Sequence, residues 1–170
     1  MKISDLLEAK EVTLIGKTIE PSWITFTAEM SGKPWNGNFH CSACKLTSLR
    51  GGPGSVNGSF ACYNNKLTSL EGAPSFVNGK IDVANNKLTS LHDVHKIIKK
   101  MNGIFWARGN PITSCVLGVL LIDNCTGLVI NNNSVQKIIN KYLPNDRGFS
   151  AVIECQSELL DAGFDEFAKL

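Results

Sequence analysis

The sequence predicts an α/β leucine-rich-repeat solenoid, a curved parallel sheet closed by a cap at each end, the C-terminal cap helical. Three observations predict it. The pentapeptide KLTSL occurs at Lys45–Leu49, Lys66–Leu70 and Lys87–Leu91, both steps being 21 residues. Gly37, Gly58 and Gly79 keep the same step. Around each copy the residues fit L-x-L-x-x-N-x-L, the leucine-rich-repeat pattern, which accepts Asn or Cys at its sixth place.

The matches are Phe39-x-Cys41-x-x-Cys44-x-Leu46, Phe60-x-Cys62-x-x-Asn65-x-Leu67, Ile81-x-Val83-x-x-Asn86-x-Leu88 and, in a degenerate fourth unit, Phe105-x-Ala107-x-x-Asn110-x-Ile112. The first three positions form a short strand whose alternate side chains enter the core. The Asn turns the chain and is placed to bond backbone groups of its own and neighbouring turns. Leu49, Leu70 and Leu91 complete the apolar filling. Gly-Gly-Pro or Gly-Ala-Pro then bends the chain back along the outer side. In the third unit HDVHKIIKKM replaces that bend, and Val94, Ile97, Ile98 and Met101 have helical spacing. The fourth unit starts at Gly103, 24 residues after Gly79, so its extra residues fall in the connecting segment.

One continuous domain is expected, with an N-terminal cap over 1–36, repeats over 37–112 and a C-terminal cap over 113–170. The exposed ends of a solenoid must be sealed by units that differ from the rest. Ser4 reads as an N-cap before DLLEA, Leu6 and Leu7 face inward, and Val12, Leu14, Ile24 and Phe26 suggest extended segments, with Trp23 and Trp35 packed on the first repeat. At the other end Leu128-Val129-Ile130 reads as a last strand. Ser134 is placed to cap a helix carrying Val135, Ile138, Ile139 and Leu143. A final helix runs through Val152, Ile153, Cys155, Leu159 and Leu160 to Gly163.

NNKLTSLEGAP, followed by a Gly-x-Phe-x-Cys strand, resembles repeat proteins of tailed bacteriophages and some bacteria. NPITSCVLGVLLI…VQKIINKYLPNDRG…VIECQSELLDAGF is similar to the capping region of those phage proteins. The resemblance covers most of the chain and implies the fold; it implies little about activity. The repeats are also similar to those of secreted bacterial effectors that carry a ubiquitin-ligase domain. No such domain is expected after Pro111, where no Cys sits in a recognisable catalytic loop.

Several function classes are set aside. The net charge of +2 is too small to imply nucleic acid or an anionic membrane. The acidic residues Asp5, Glu8 and Glu11 break any leader-like apolar run. Cys115–Ile122 is too short to span a bilayer. A cytoplasmic location is expected, in the host cell if the chain is phage-encoded, with its six cysteines reduced. Cys41-Ser-Ala-Cys44 has zinc or redox spacing, but Cys41 is equivalent to Cys62, Val83 and Ala107, and Cys44 to the turn asparagines, so a structural role is expected. His92 and His95, with Asp93, are read as a surface pair on one helical face rather than a metal site. Lys96, Lys99 and Lys100 are read as a solvated face of that helix. No P-loop, dinucleotide fingerprint, nucleophile elbow or paired acidic motif occurs. No catalytic residue, cofactor or metal is expected.

The positions between the core residues face outward on the concave sheet: Asn38, His40 and Ser42; Ser59, Ala61 and Tyr63; Lys80, Asp82 and Ala84; Ile104, Trp106 and Arg108. They vary where the core positions repeat, as a recognition surface requires. His40, Tyr63, Lys80, Asp82, Trp106 and Arg108 are therefore the candidate binding residues, and Tyr, Trp and Arg are enriched among binding hot spots. The competing reading puts Ile104 and Trp106 under the C-terminal cap. A protein partner is expected, with membrane and nucleic acid set aside and homo-oligomerisation left open. The leading expectation is a phage protein that binds and blocks a host protein. A virion component, or a binder of small molecules or nucleic acid, are the alternatives.

Overall fold

The computed structural model describes residues 30–170. It is a leucine-rich-repeat-like solenoid in which each coil carries strand on both sides of a corner. The repeat strands are β2 (Phe39–His40), β4 (Phe60–Ala61) and β6 (Ile81–Asp82). A second series, β1 (Pro34–Asn36), β3 (Ser55–Asn57) and β5 (Phe76–Val77), lies before the corner in each coil. In the fourth coil β7 (Lys100–Trp106) runs through both places, and β8 (Asp123–Val129) pairs with it as a fifth rung. All pairings are parallel, in the order β1-β3-β5-β7-β6-β4-β2. Phe39, Phe60, Ile81, Phe105 and Leu128 stand in one row, as the repeat spacing predicts.

The sequence predicts an outer connection where this second series lies. Its burial explains the strands: Val56, Val77 and Met101 form a second fully buried row behind the corner, with Trp35 heading it. The corner needs glycine. A Cβ on Gly58 would lie 2.5 Å from backbone atoms of Gly37, so successive coils pack backbone on backbone there. The same row shortens the predicted third-unit helix. Only α1 (Val94–Ile97) is helical; Ile98 is extended, and Met101 is buried through strand pairing with Val77, not through helical spacing. Lys96 lies on α1, whereas Lys99 and Lys100 lie beyond it and share no helix face with it.

Three buried asparagines tie the coils together. Asn65 accepts from the N–H groups of Cys44 (3.0 Å) and Leu46 (2.9 Å) and donates to the carbonyls of Cys41 (2.9 Å) and Cys62 (3.0 Å). Asn86 and Asn110 repeat the two donations one and two coils on, and accept from Leu67 N–H and Leu88 N–H, each at 3.0 Å. A second ladder, outside the core and not anticipated from sequence, runs Asn57, Asn78, Asn102, Asn124, each amide donating to the one before.

The C-terminal end is closed by side chains as well as helices. A 3-10 turn (Leu117–Leu121) is followed by β8, then by α2 (Asn133–Asn140) and α3 (Phe149–Asp161). Asn140 accepts from Leu128 N–H (2.8 Å) and donates to Leu128 carbonyl (3.0 Å), and Gln136 accepts from Ile130 N–H (2.9 Å). An exposed strand edge invites pairing with another chain; these amides occupy it. The N-cap of α2 is Asn132, which accepts from Val135 N–H (3.1 Å), in place of the expected Ser134; either side chain caps well, and the chain enters the helix two residues early. Trp35 meets Phe39 edge to face at 5.2 Å, as expected of the first repeat. The predicted N-terminal cap elements from Ser4 to Phe26 lie outside the described residues.

Candidate functional site

Strand alternation places the predicted binding residues on one open face. His40, Ala61, Asp82, Trp106 and Val129 stand in one row across successive coils. Ser42, Tyr63, Ala84 and Arg108 form the next, joined by N–H groups of the following residues to the carbonyls of Tyr63 (2.9 Å), Ala84 (2.9 Å) and Arg108 (2.8 Å). Asn38, Ser59, Lys80 and Ile104 form a third. The result is a grid with a pitch of about 4.8 Å between coils.

Exposure decides between the two readings of its end. Tyr63, Ile104 and Trp106 keep 39%, 38% and 37% of their surface, so the C-terminal cap leaves the aromatic and its neighbour open. Gly127, next to Ile104 in β8, supplies no side chain over it: a Cβ there would touch Ile104 at 3.6 Å. His40, Lys80 and Arg108 are exposed. Asp82 is half-buried and accepts from Ala84 N–H at 3.2 Å, so part of its carboxylate is engaged locally. The six residues thus share a face.

The cysteines follow the repeat. Cys41 and Cys62 are buried and stacked, with Sγ atoms 2.8 Å apart. Cys44 is half-buried at the turn position and donates to Ser42 carbonyl (3.1 Å). Burial first, then the neighbouring Cys62, pushes the Cys41 thiol well above its usual range, and burial raises Cys44 too. Cys125 and Cys155 are pushed up to about 11 and about 12, chiefly by burial. Thiols in that range are protonated at neutral pH and are poor nucleophiles and poor metal ligands.

His92 precedes α1 instead of sharing its face with His95. It lies 3.3 Å from Asp93, while His95 turns a buried, unpartnered Nδ1 toward Gly118. Burial is the main cause of the lowered His95 pKa, and it favours the neutral ring. Among the described residues no group of three or more His, Cys, Asp or Glu side chains is arranged to hold a metal ion. Purified protein should therefore contain no stoichiometric zinc. One zinc per chain by elemental analysis, lost in Cys41→Ser, would overturn the structural reading of the cysteines.

The outer side of α3 was not foreseen as a surface. Phe149, Ile153 and Leu160 are 60%, 55% and 47% exposed along it, while Val152, Cys155 and Leu159 pack inward. Among the described residues no helix is long and apolar enough to cross a membrane. Compared with protein-family models, with curated proteins and with solved structures, the chain matches none of them.

Proposed function

We propose that this chain is a non-catalytic protein-binding module that recognises its partner through the open strand face. The observation that carries this is the contrast between the two sides of the same strands. Inward positions are uniformly apolar, as in Phe39, Phe60, Ile81 and Phe105, while their outward neighbours His40, Ala61, Asp82 and Trp106 differ in charge, size and hydrogen-bonding capacity. Packing accounts for the first set; in the second it holds only Ala61, which is buried, and leaves His40, Asp82 and Trp106 free to vary. The resemblance to phage repeat proteins supports a host protein, bound and inhibited in the host cytoplasm, as the partner class.

The test is capture of the partner from bacterial lysate, its identification by mass spectrometry, and titration of purified variants against it. Tyr63→Ala and Trp106→Ala should each weaken binding about thirtyfold or more, as truncation of a hot spot costs about 2 kcal/mol or more. Their melting temperatures should stay near wild type, since both side chains are exposed. Glu71→Ala and Ser75→Ala, on the outer segment, should leave binding intact. Normal binding by the strand-face variants, together with loss in Phe149→Ser or Ile153→Ser, would move recognition to the exposed side of α3. Copurification with phage particles would favour a virion role.

A further inference from the structure

The net charge of +2 conceals a separation of charge along the chain. Residues 30–112 hold ten Lys and Arg against three Asp and Glu, a balance of +7. Residues 113–170 hold four against seven, −3, and residues 1–29 three against five, −2. The repeat body is strongly basic; two of its three acids are ion-paired, and the third, Asp82, keeps its charge on the strand face with one local backbone bond. Glu71 pairs with Arg50 (2.6 Å), Asp93 with Lys96 (2.8 Å), and Asp82 accepts from Ala84 N–H.

Of the eight cations left over, four follow the coils. Lys45, Lys66 and Lys87 hold one register position, immediately after the turn position of Cys44, Asn65 and Asn86, and all three are exposed. Their coils are locked there by Lys66 N–H to Leu46 carbonyl (2.8 Å) and Lys87 N–H to Leu67 carbonyl (2.9 Å). The three form a rail of about 10 Å along the rim of the strand face, at about 4.8 Å per coil. Pro111 takes the place in the fourth coil, and the cation there is Arg108, on the strand face itself. Among the described residues none of these four cations has an ion-pair partner. Like charges in facing positions oppose one another, so the rail is a cost to the isolated fold and a complement to an acidic partner.

We propose that the partner docks an acidic α-helix along the stack, carboxylates on successive turns facing Lys45, Lys66, Lys87 and Arg108, and apolar side chains on Tyr63 and Trp106. This rests on the protein-binding reading above and names its partner's chemistry. Two helical turns rise about 11 Å, close to the length of the rail. An extended peptide is disfavoured at the C-terminal edge, because Asn140 and Gln136 already pair with its backbone. The acidic cap at the same end confines the positive field to about four coils, which favours a short helix over a long run of phosphates.

The test is fluorescence anisotropy with an alanine-based helical peptide bearing Glu on successive turns beside a Leu stripe, its Gln counterpart, and a single-stranded oligothymidine. The Glu peptide should bind about tenfold more tightly than the Gln peptide, and the difference should fade as salt rises. It should vanish in the triple variant Lys45→Gln, Lys66→Gln, Lys87→Gln, which should melt cooperatively at or slightly above the wild-type midpoint. Equal binding, no binding by either peptide, or oligothymidine displacing the Glu peptide would overturn the proposal. A triple variant that binds the captured partner normally while Tyr63→Ala does not would sink the acidic helix alone. Normal binding by both would sink the protein-recognition face as well.

Discussion

Leu67→Asp should abolish the cooperative thermal transition. Leu67 is fully buried between the equivalent leucines of the neighbouring coils, and its own N–H is held by Asn86 at 3.0 Å. Removing the leucine contacts from such a site costs about 2–5 kcal/mol. The carboxylate then has no cation to meet there; it must be buried charged, at far greater cost, or neutralised with its polar atoms unsatisfied. The total reaches the whole stability of an ordinary domain, about 5–15 kcal/mol. Coils support only their neighbours, so a break in the second coil also separates the first from the rest. Circular dichroism melts decide it: a cooperative transition near the wild-type midpoint would contradict the register.

Why some of this was legible in the sequence and some was not has physical reasons. The repeat strand was legible because burial and hydrogen bonding impose identity at fixed spacing. Phe60, Cys62, Asn65, Leu67 and Leu70 recur in kind one coil on, at Ile81, Val83, Asn86, Leu88 and Leu91. The outward grid followed from alternation. The second strand series was not legible, since Ser55–Asn57 and Phe76–Val77 are too short to display a period and sit between glycines and prolines that signal turns. The third-unit helix was over-read because Val94 and Ile98 obey helical spacing while Met101, the next apolar residue in the same series, belongs to a strand row. Whether Trp106 stayed open depended on where the cap helices settle, which no local pattern encodes. The basic repeat body was hidden by summing over the chain: acidic residues in the cap and the N-terminal segment cancel most of it.

Asn86→Leu should lower stability by about 3 kcal/mol or more while leaving the outer surface unchanged. Asn86 is 6% exposed; it accepts from Leu67 N–H and donates to the carbonyls of Cys62 and Val83, each at 3.0 Å, with a longer bond to its own coil's Ala84 carbonyl at 3.3 Å. Two of these belong to the preceding coil, so the side chain replaces a coil-to-coil backbone bond where the chain turns away from the sheet. Leucine adds apolar volume but strands one donor and two acceptors, each costing about 1–3 kcal/mol when buried. The first coil shows what the motif tolerates: there Cys44 stands in the asparagine's place and bonds only Ser42 carbonyl, at the end of the described stack where fewer groups need a partner. Asn86→Asp separates shape from bonding. Its carboxylate would keep the acceptor but face two carbonyls in a buried site, so its pKa in the folded state should lie above the unfolded value of about 3.9. A raised carboxyl pKa places its stabilising contribution at low pH and removes it as pH rises, so this variant should lose stability relative to wild type between mildly acidic and neutral solution. Asn86→Leu should carry a deficit independent of pH over the same range. Denaturant titrations of both variants across that range would show it; a pH-independent deficit in Asn86→Asp, or a near-wild-type Asn86→Leu, would mean the buried amide is not what joins the coils.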